Sequence, residues 1–402
     1  MIFVLSRVTI VFVLIVNAVW AIPSVLLIRI IRPFVFIRIG TLYASRIGHF
    51  VGDASFYLAD QSLRLGKCRV IDLIWLPEKS CNAHWAKMVK RQLYVKSWVR
   101  FLDRFNKLIP GGKAHELTWP SFESVDSYNV FSQTKERFKF TLEEEEEAKL
   151  WLVRRGWREG EPFICLLVRD SAYLSSYSMS CEGFAENWRY HDYRDSDIDT
   201  YEDAIHGLLS RGYWVIRMGK AMHKPLSLKH QKLIDYPFLH DKNDLMDIWL
   251  SINCFFFIST ASGLDTIPCV YGRPVVFVNA LPISAGIFWA NRIWVPKHLL
   301  WQNSGKYLTL REHFNYSYGR AEEYVKVGIV INDLSDSEIT AAVLECEQRT
   351  KGRWDECDKD IERQARYLNA LRNYSRLKNM EIHPEARAGS AWLQSVEGAL
   401  NY

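Results

Sequence analysis

The chain has no Cys-x-x-Cys pair. Its eight cysteines (Cys68, Cys81, Cys165, Cys181, Cys254, Cys269, Cys346 and Cys357) form no Cys/His set with zinc-finger spacing either. The usual structural zinc sites are therefore excluded, and all eight read as free thiols of a reducing compartment. A long basic block is also missing. The 51 Lys and Arg are scattered and nearly balanced by 46 Asp and Glu, which argues against a nucleic-acid partner. Charge is absent altogether from Val8 to Ile28, "VTIVFVLIVNAVWAIPSVLLI".

That uncharged run is long enough to cross a bilayer as a helix. Val19-Trp20-Ala21 resembles a signal-peptidase site, but the apolar run continues past it. Basic residues follow at Arg29, Arg32, Arg38 and Arg46, so the expectation is an uncleaved anchor over residues 1–31 with the bulk of the chain cytoplasmic. Pro23 would kink that anchor or make it re-entrant. The remaining length is ample for two domains, and the high aromatic content fits a core plus a membrane interface.

Beyond the anchor, strand-like and helix-like stretches alternate. Strands are expected at "FVFIRIG" (34–40) and "RVIDLIWL" (69–76), and a helix over 98–108. "TLEEEEEAKLWLVRRG" carries a capping box at Thr141 and Glu144, an acidic first turn and a stop at Gly156. After Gly160 the alternation restarts: "PFICLLVRD", a helix closed by Gly212, "YWVIRMG", "KLIDY", "NDLMDIWLSI", "CFFFIS", "SGLDTIPCVYG" and "RPVVFVN". This predicts an α/β protein with two Rossmann-like domains facing across a cleft. The expected boundaries are 32–155 and 156–350, with C-terminal helices over 351–402 packing back across both.

One stretch, "FFFISTASGLDTIPCVYGRPVVFVNA" (255–280), runs from a buried strand into small hydroxyl residues, a glycine and a short helix. At the carboxyl end of a parallel strand, that pattern suits an anion: Ser259, Thr260 and Ser262 supply donors, and Gly263 lets backbone approach. The plain alternative is a helix cap.

This stretch resembles the donor-binding half of GT-B glycosyltransferases such as the heptosyltransferases. Together with "RIGHF" (46–50), "VRDSAYL" (168–174), "YHDYRDSDIDTY" (190–201), "VIRMG" (215–219) and "IDY" (234–236), it resembles a family of glycosyltransferases from bacterial surface-polysaccharide loci. The resemblance implies a GT-B-like fold and an N-terminal acceptor domain beside a C-terminal donor domain. It implies a nucleotide-sugar donor as substrate, a glycan or lipid-linked acceptor, no separate cofactor and no required metal, at the cytoplasmic face of the inner membrane.

Within that frame Arg169, Arg217, Gly219 and Lys220 lie at strand ends and are expected, with Ser259 to Gly263, to ring the donor phosphate. Arg169 and Arg217 could instead pair with Asp170 or Asp235. His191 and Arg194 are expected to reach in from the loop after the "VRD" strand. Asp195-Ser196-Asp197 is a DxD that reads first as helix capping and second as a metal site. The expected base is His49, with Asp53 as second choice. Two other classes remain: a pyruvyl or carbamoyl transferase acting on surface glycans, and a non-catalytic assembly protein.

Overall fold

The computed structural model describes residues 2–64, 70–118, 130–173, 192–286, 288–374 and 382–400. The chain divides into two compact units. One holds residues 1–124 and 130–140; the other holds 125–129 and 141–402.

The first unit opens with helix α1 (Ile2–Ile30), followed by β1 (Phe36–Thr41), α2 (Ile47–Arg64), β2 (Val70–Trp75), α3 (Ala83–Gln92), α4 (Val99–Leu108) and α5 (Val130–Gln133). β1 and β2 are parallel, in register from Phe36 opposite Val70 to Thr41 opposite Trp75. Single parallel bridges, Ile39 to Glu116 and Ile74 to Val95, extend this pair on either side. The described residues thus form a smaller sheet than the Rossmann-like domain expected here. Across the strands Arg38 makes two hydrogen bonds of 2.7 Å to Asp72, which also accepts from Tyr57 Oη at 2.8 Å.

Residues 1–31 do not stand apart from this unit. Ala21, Val25 and Ile28 are buried against Ile39, Val99 and Leu102. Arg29 donates to the carbonyls of Ile109 (3.0 Å) and Pro110 at the end of α4, where a cation suits the helix dipole. Of the four basic residues expected to hold the flank of an anchor, Arg29 and Arg38 are therefore engaged inside the unit. A uniformly apolar run has no phase, so its docking face could not be read from sequence.

The second unit starts at α6 (Leu142–Val153). Its predicted capping box is formed: Glu144 N donates to Thr141 Oγ1, and Thr141 N to Glu144 Oε2. Gly156 ends it at φ +93°, a left-handed turn that favours glycine. The main sheet follows, with β3 (Phe163–Leu167), α7 (Glu202–Ser210), β4 (Trp214–Arg217), β5 (Leu233–Asp235), α8 (Asp244–Asn253), β6 (Phe257–Ser259), α9 (Thr266–Val270), β7 (Val275–Val278) and β8 (Arg292–Val295). β9 (His298–Trp301) and β10 (Ile329–Asn332) form an antiparallel pair, and β11 (Arg387–Ala388) joins the edge of the main sheet. That sheet has seven strands in the order β11-β8-β7-β6-β3-β4-β5, and every pairing is parallel. β3, β4, β6, β7 and β8 are buried at every position, as strands covered on both faces must be. The chain builds outward from β3 to β5, returns, and builds the other way from β6. The order therefore reverses between β3 and β6, and such a reversal opens a crevice beyond the carboxyl ends of the strands.

Candidate functional site

The ends of β3 and β6 are stitched together at that reversal. Thr260 N donates to Leu167 O at 3.3 Å, and Arg169 N donates to Thr260 Oγ1 at 2.9 Å. Ala261 then turns at φ +59°, a left-handed conformation that costs an alanine about 1–2 kcal/mol. Its carbonyl accepts a hydrogen bond from Arg194 Nη2, so the strained turn and that arginine hold each other. Strain of this kind persists only where its surroundings enforce it, commonly at ligand sites.

Asp265 fixes the other side of the turn. Its Oδ2 accepts from Ser259 Oγ and from Ser262 N, both at 2.6 Å. Burial pushes this carboxyl up to about 6, and the two donors work against that. The hydroxyls of Ser259 and Thr260 are therefore used inside the fold and are buried, contrary to the expectation that they donate to a ligand. Ser262 is half-buried and caps the short turn Gly263–Asp265, and Gly263 is exposed. Asp265 was not singled out from sequence. The signal was there, because Ser262 and Asp265 have the spacing of a capping box.

Two guanidinium groups meet at this turn. Arg169 Nε lies 3.4 Å from Asp195 Oδ1. Arg169 Nη1 and Arg194 Nε are buried and have no hydrogen-bond partner among the described residues. Burial, and then the charge of Arg194, hold the Arg169 pKa below its usual value. Asp195 offsets one of these two half-buried charges, and the unfilled donors suit a further anion. The segment carrying Arg194 is pinned from beneath. Ser196 N donates to Arg169 O at 3.1 Å, Lys297 Nζ to Asp195 O at 2.7 Å, and Asn279 Nδ2 to Ser196 Oγ at 2.9 Å. Lys297 also pairs with Asp333 at 2.6 Å. Sequence gave no sign of Lys297, which comes from the end of β8.

The other expected phosphate ligands lie elsewhere. Arg217 is 1% exposed; its Nη1 donates to Lys224 O at 2.6 Å and pairs with Asp235 at 3.4 Å. It ties the loop after β4 to β5, which corrects its assignment to the site. Arg217→Ala is expected to lower unfolding stability by about 2 kcal/mol, the scale of a lost charge-assisted hydrogen bond, without selectively changing anion affinity. Chemical denaturation beside a binding titration separates the two. Gly219 takes φ +144°, and a Cβ there would lie 2.2 Å from Met222 Cε, so its role is the turn itself. Lys220 is exposed and stands 3.6 Å from Asp244 at the start of α8. His191 lies outside the described residues.

The Asp195-Ser196-Asp197 motif splits. Asp195 faces Arg169, whereas Asp197 accepts from Asp199 N at 3.1 Å and caps the turn Ile198–Tyr201. The two carboxylates thus serve different partners. Asp170, next to Arg169, accepts from Ala172 N (2.9 Å) and His223 N (2.8 Å) and links the loops after β3 and β4. In the first unit His49 sits in the opening turn of α2, half-buried, with its ring edge-on to Tyr43 at 5.5 Å between centroids. Asp53, one turn further on, is 1% exposed, which removes it as an acceptor-facing base.

Asp195 makes the anion site sensitive to pH. Burial is the largest cause of its carboxyl rising to about 6; Arg169 and Lys297 lower it, and Asp192 and Asp170 raise it. Above that pH the ionised Asp195 competes for Arg169; below it the carboxyl is neutral and the competition ends. Affinity for an anion that does not itself titrate between pH 5 and 7 is therefore expected to rise as pH falls from 7 to 5. Asp195→Asn should flatten that dependence in a calorimetric titration. A flat profile in the parent would remove Asp195 from the site.

No protein-family model matches the chain, and no curated protein matches it. Among solved structures the chain is similar to a glycosyl transferase family 9 protein from Veillonella parvula. The identity is 12% and the TM-score 0.40, with 65% of this chain and 86% of that one covered.

Proposed function

We propose that the protein is a glycosyltransferase that moves a sugar from a nucleotide-activated donor to a glycan or lipid-linked acceptor in bacterial surface-polysaccharide synthesis. The observation that carries this reading is the pair Arg169 and Arg194, with buried and unfilled donors beside a strained turn at the strand-order reversal. A diphosphate is the anion that two converging guanidinium groups fit best. In the reaction the bond between the anomeric carbon and the diphosphate oxygen breaks, and the nucleotide leaves with the bonding electrons. The two arginines stabilise the charge that develops there, in place of a metal. The acceptor hydroxyl oxygen forms the new bond to the anomeric carbon, and His49 takes its proton. The GT-B-like arrangement, with donor residues in the second unit and the acceptor-side base in the first, belongs to this proposal. So does attachment through α1 to the cytoplasmic face of the inner membrane.

A thermal-shift screen against UDP-, GDP- and dTDP-sugars tests it, with CMP-sugars, which carry a single phosphate, as the comparison. One nucleotide class is expected to raise the melting temperature; saturation at a hundred times Kd corresponds to about 2.7 kcal/mol. The shift should survive a chelator, fall by more than half in Arg169→Ala and vanish when Arg169 and Arg194 are both replaced by alanine. If folded protein responds to none of the four, the donor reading is wrong.

A further inference from the structure

Helix α1 has two unlike faces. Ala21, Val25 and Ile28 are buried on the first unit, while Phe12, Ile15, Val19, Ile22, Leu26 and Ile30 are exposed, as are Val13, Val16 and Leu27. At about 100° per residue the exposed set covers roughly half of the helix circumference, opposite the buried three. The stripe continues at the helix end into Phe34, 77% exposed. Polar groups on α1 are turned back onto the helix: Asn17 Nδ2 donates to Val13 O at 2.7 Å, Trp20 Nε1 to Asn17 Oδ1 at 2.9 Å, and Ser24 Oγ to Trp20 O at 2.8 Å. Such a surface leaves little polar demand for water to meet and suits hydrocarbon.

Helix α4 runs beside α1 in the same direction. Trp20 meets Trp98 and Phe101 at 6.0 and 6.4 Å between ring centroids, and Arg29 reaches Asn106 and Ile109 further along. Arg100, Arg104 and Lys107 line the solvent face of α4; Arg100 also pairs with exposed Glu78 at 2.9 Å, and Lys107 pairs with the helix's one acid, buried Asp103, at 2.9 Å. An apolar stripe beside a basic one, with two tryptophans at their shared end, is complementary to a hydrocarbon layer under anionic headgroups.

Docking also limits how far α1 can reach. From Trp20 onward one face of the helix is held on the unit through Ala21, Val25, Ile28 and Arg29, while the opposite face stays exposed, and Arg7 ends the uncharged run on the other side. Between them lies Val8–Val19, only about 18 Å of helix at the standard rise, against a hydrocarbon core of about 30 Å.

We propose that α1 enters a single leaflet, its exposed stripe in hydrocarbon, while Arg100, Arg104 and Lys107 contact the anionic lipid headgroups of that same leaflet. This rests on the membrane attachment proposed above and is independent of the reaction. Where the sequence leaves the anchor open between spanning and re-entrant, this makes it a one-sided attachment.

The test uses the full chain with a protease-cleavable epitope before residue 1. In inverted inner-membrane vesicles the epitope is expected to be cut without detergent. In flotation, purified protein should favour phosphatidylcholine vesicles containing phosphatidylglycerol over phosphatidylcholine alone, and salt should reduce the preference. Each of Arg100→Glu, Arg104→Glu and Lys107→Glu should weaken the anionic preference by about fivefold or more. The melting temperatures of the Arg100→Glu and Arg104→Glu variants, expected near the parent's because those side chains are exposed, serve as the folding control; Lys107→Glu is expected to melt lower, because it sets a second carboxylate beside buried Asp103. A chain that neither sediments with membranes nor floats overturns the membrane reading of α1 altogether. An epitope protected in inverted vesicles but cut in spheroplasts leaves attachment standing and overturns the single-leaflet arrangement. Flotation indifferent to phosphatidylglycerol and to the three reversals overturns the α4 contact.

Discussion

Replacing Arg169 and Arg194 together by alanine is expected to lower affinity for a nucleotide sugar by on the order of a thousandfold. Each guanidinium can offer a charge-assisted hydrogen bond to the diphosphate, at about 1.5–3 kcal/mol each, and about 4 kcal/mol is a factor near a thousand. The single changes should not sum to the double. The two charges already oppose each other, so removing Arg194 relieves the depressed pKa of Arg169 and part of the loss is recovered. The same repulsion means that the empty protein has little to lose. The double variant should melt within about 1–2 kcal/mol of the parent, the sum of modest contacts to Ala261 O and Asp195. Isothermal titration with the responding nucleotide sugar, beside calorimetric melting, reads both quantities. Unchanged affinity in a folded double variant would place the donor elsewhere.

His49→Ala is expected to lower turnover by about a hundredfold or more, the usual contribution of a positioned general base. Burial first, and the charge of Arg46 second, lower the His49 pKa from its ordinary value. The imidazole is therefore neutral at pH 7 and able to take a proton. Activity should be lost as pH falls through this lowered pKa, so the acid limb of the parent's profile lies below the ordinary imidazole range. The variant should lack that limb. Donor affinity should stay close to the parent's, because Arg169 and Arg194 belong to the other unit. A folded variant with near-parental turnover would leave the reaction without an enzyme base, since Asp53 is buried within α2.

Strands β3 to β7 of the second unit are legible in the sequence because they are short apolar runs bounded by glycine and acidic turns, a pattern that parallel sheets impose; β8 to β11 are not, since their runs are only two to four residues long and include Arg292, His298, Asn332 and Arg387. The ends of β3 to β7 fall within three residues of the expected ones, "PFICLLVRD" overrunning β3 and "CFFFIS" starting ahead of β6, which is close enough to locate the neighbourhood of Arg169. Side-chain direction was not legible. Arg217 ends β4 and Arg169 follows β3 by two residues, yet one is sealed between strand and loop and the other is left with an unfilled nitrogen. Ser259, Thr260 and Ser262 read alike as hydroxyl donors. Only their partners, Asp265 and the Arg169 amide, separate those turned inward from the one left at the surface. Asp195 and Lys297 come from segments about a hundred residues apart in sequence and meet only through the sheet order.

Both margins of the main sheet are unusually short. On one side the last strand is β5, Leu233–Asp235; on the other it is β11, two residues long, laid against β8. An open β8 would present a row of unpaired amides and carbonyls in a fully buried apolar strand, a template for another chain's strand. β11 covers part of that row, and Arg387 within it pairs with Glu356 at 2.5 Å, setting charge at the rim. If the protein gathers on a lipid surface as proposed, edges this brief and this charged would keep neighbouring copies from joining sheet to sheet, so crowding on the membrane need not become aggregation.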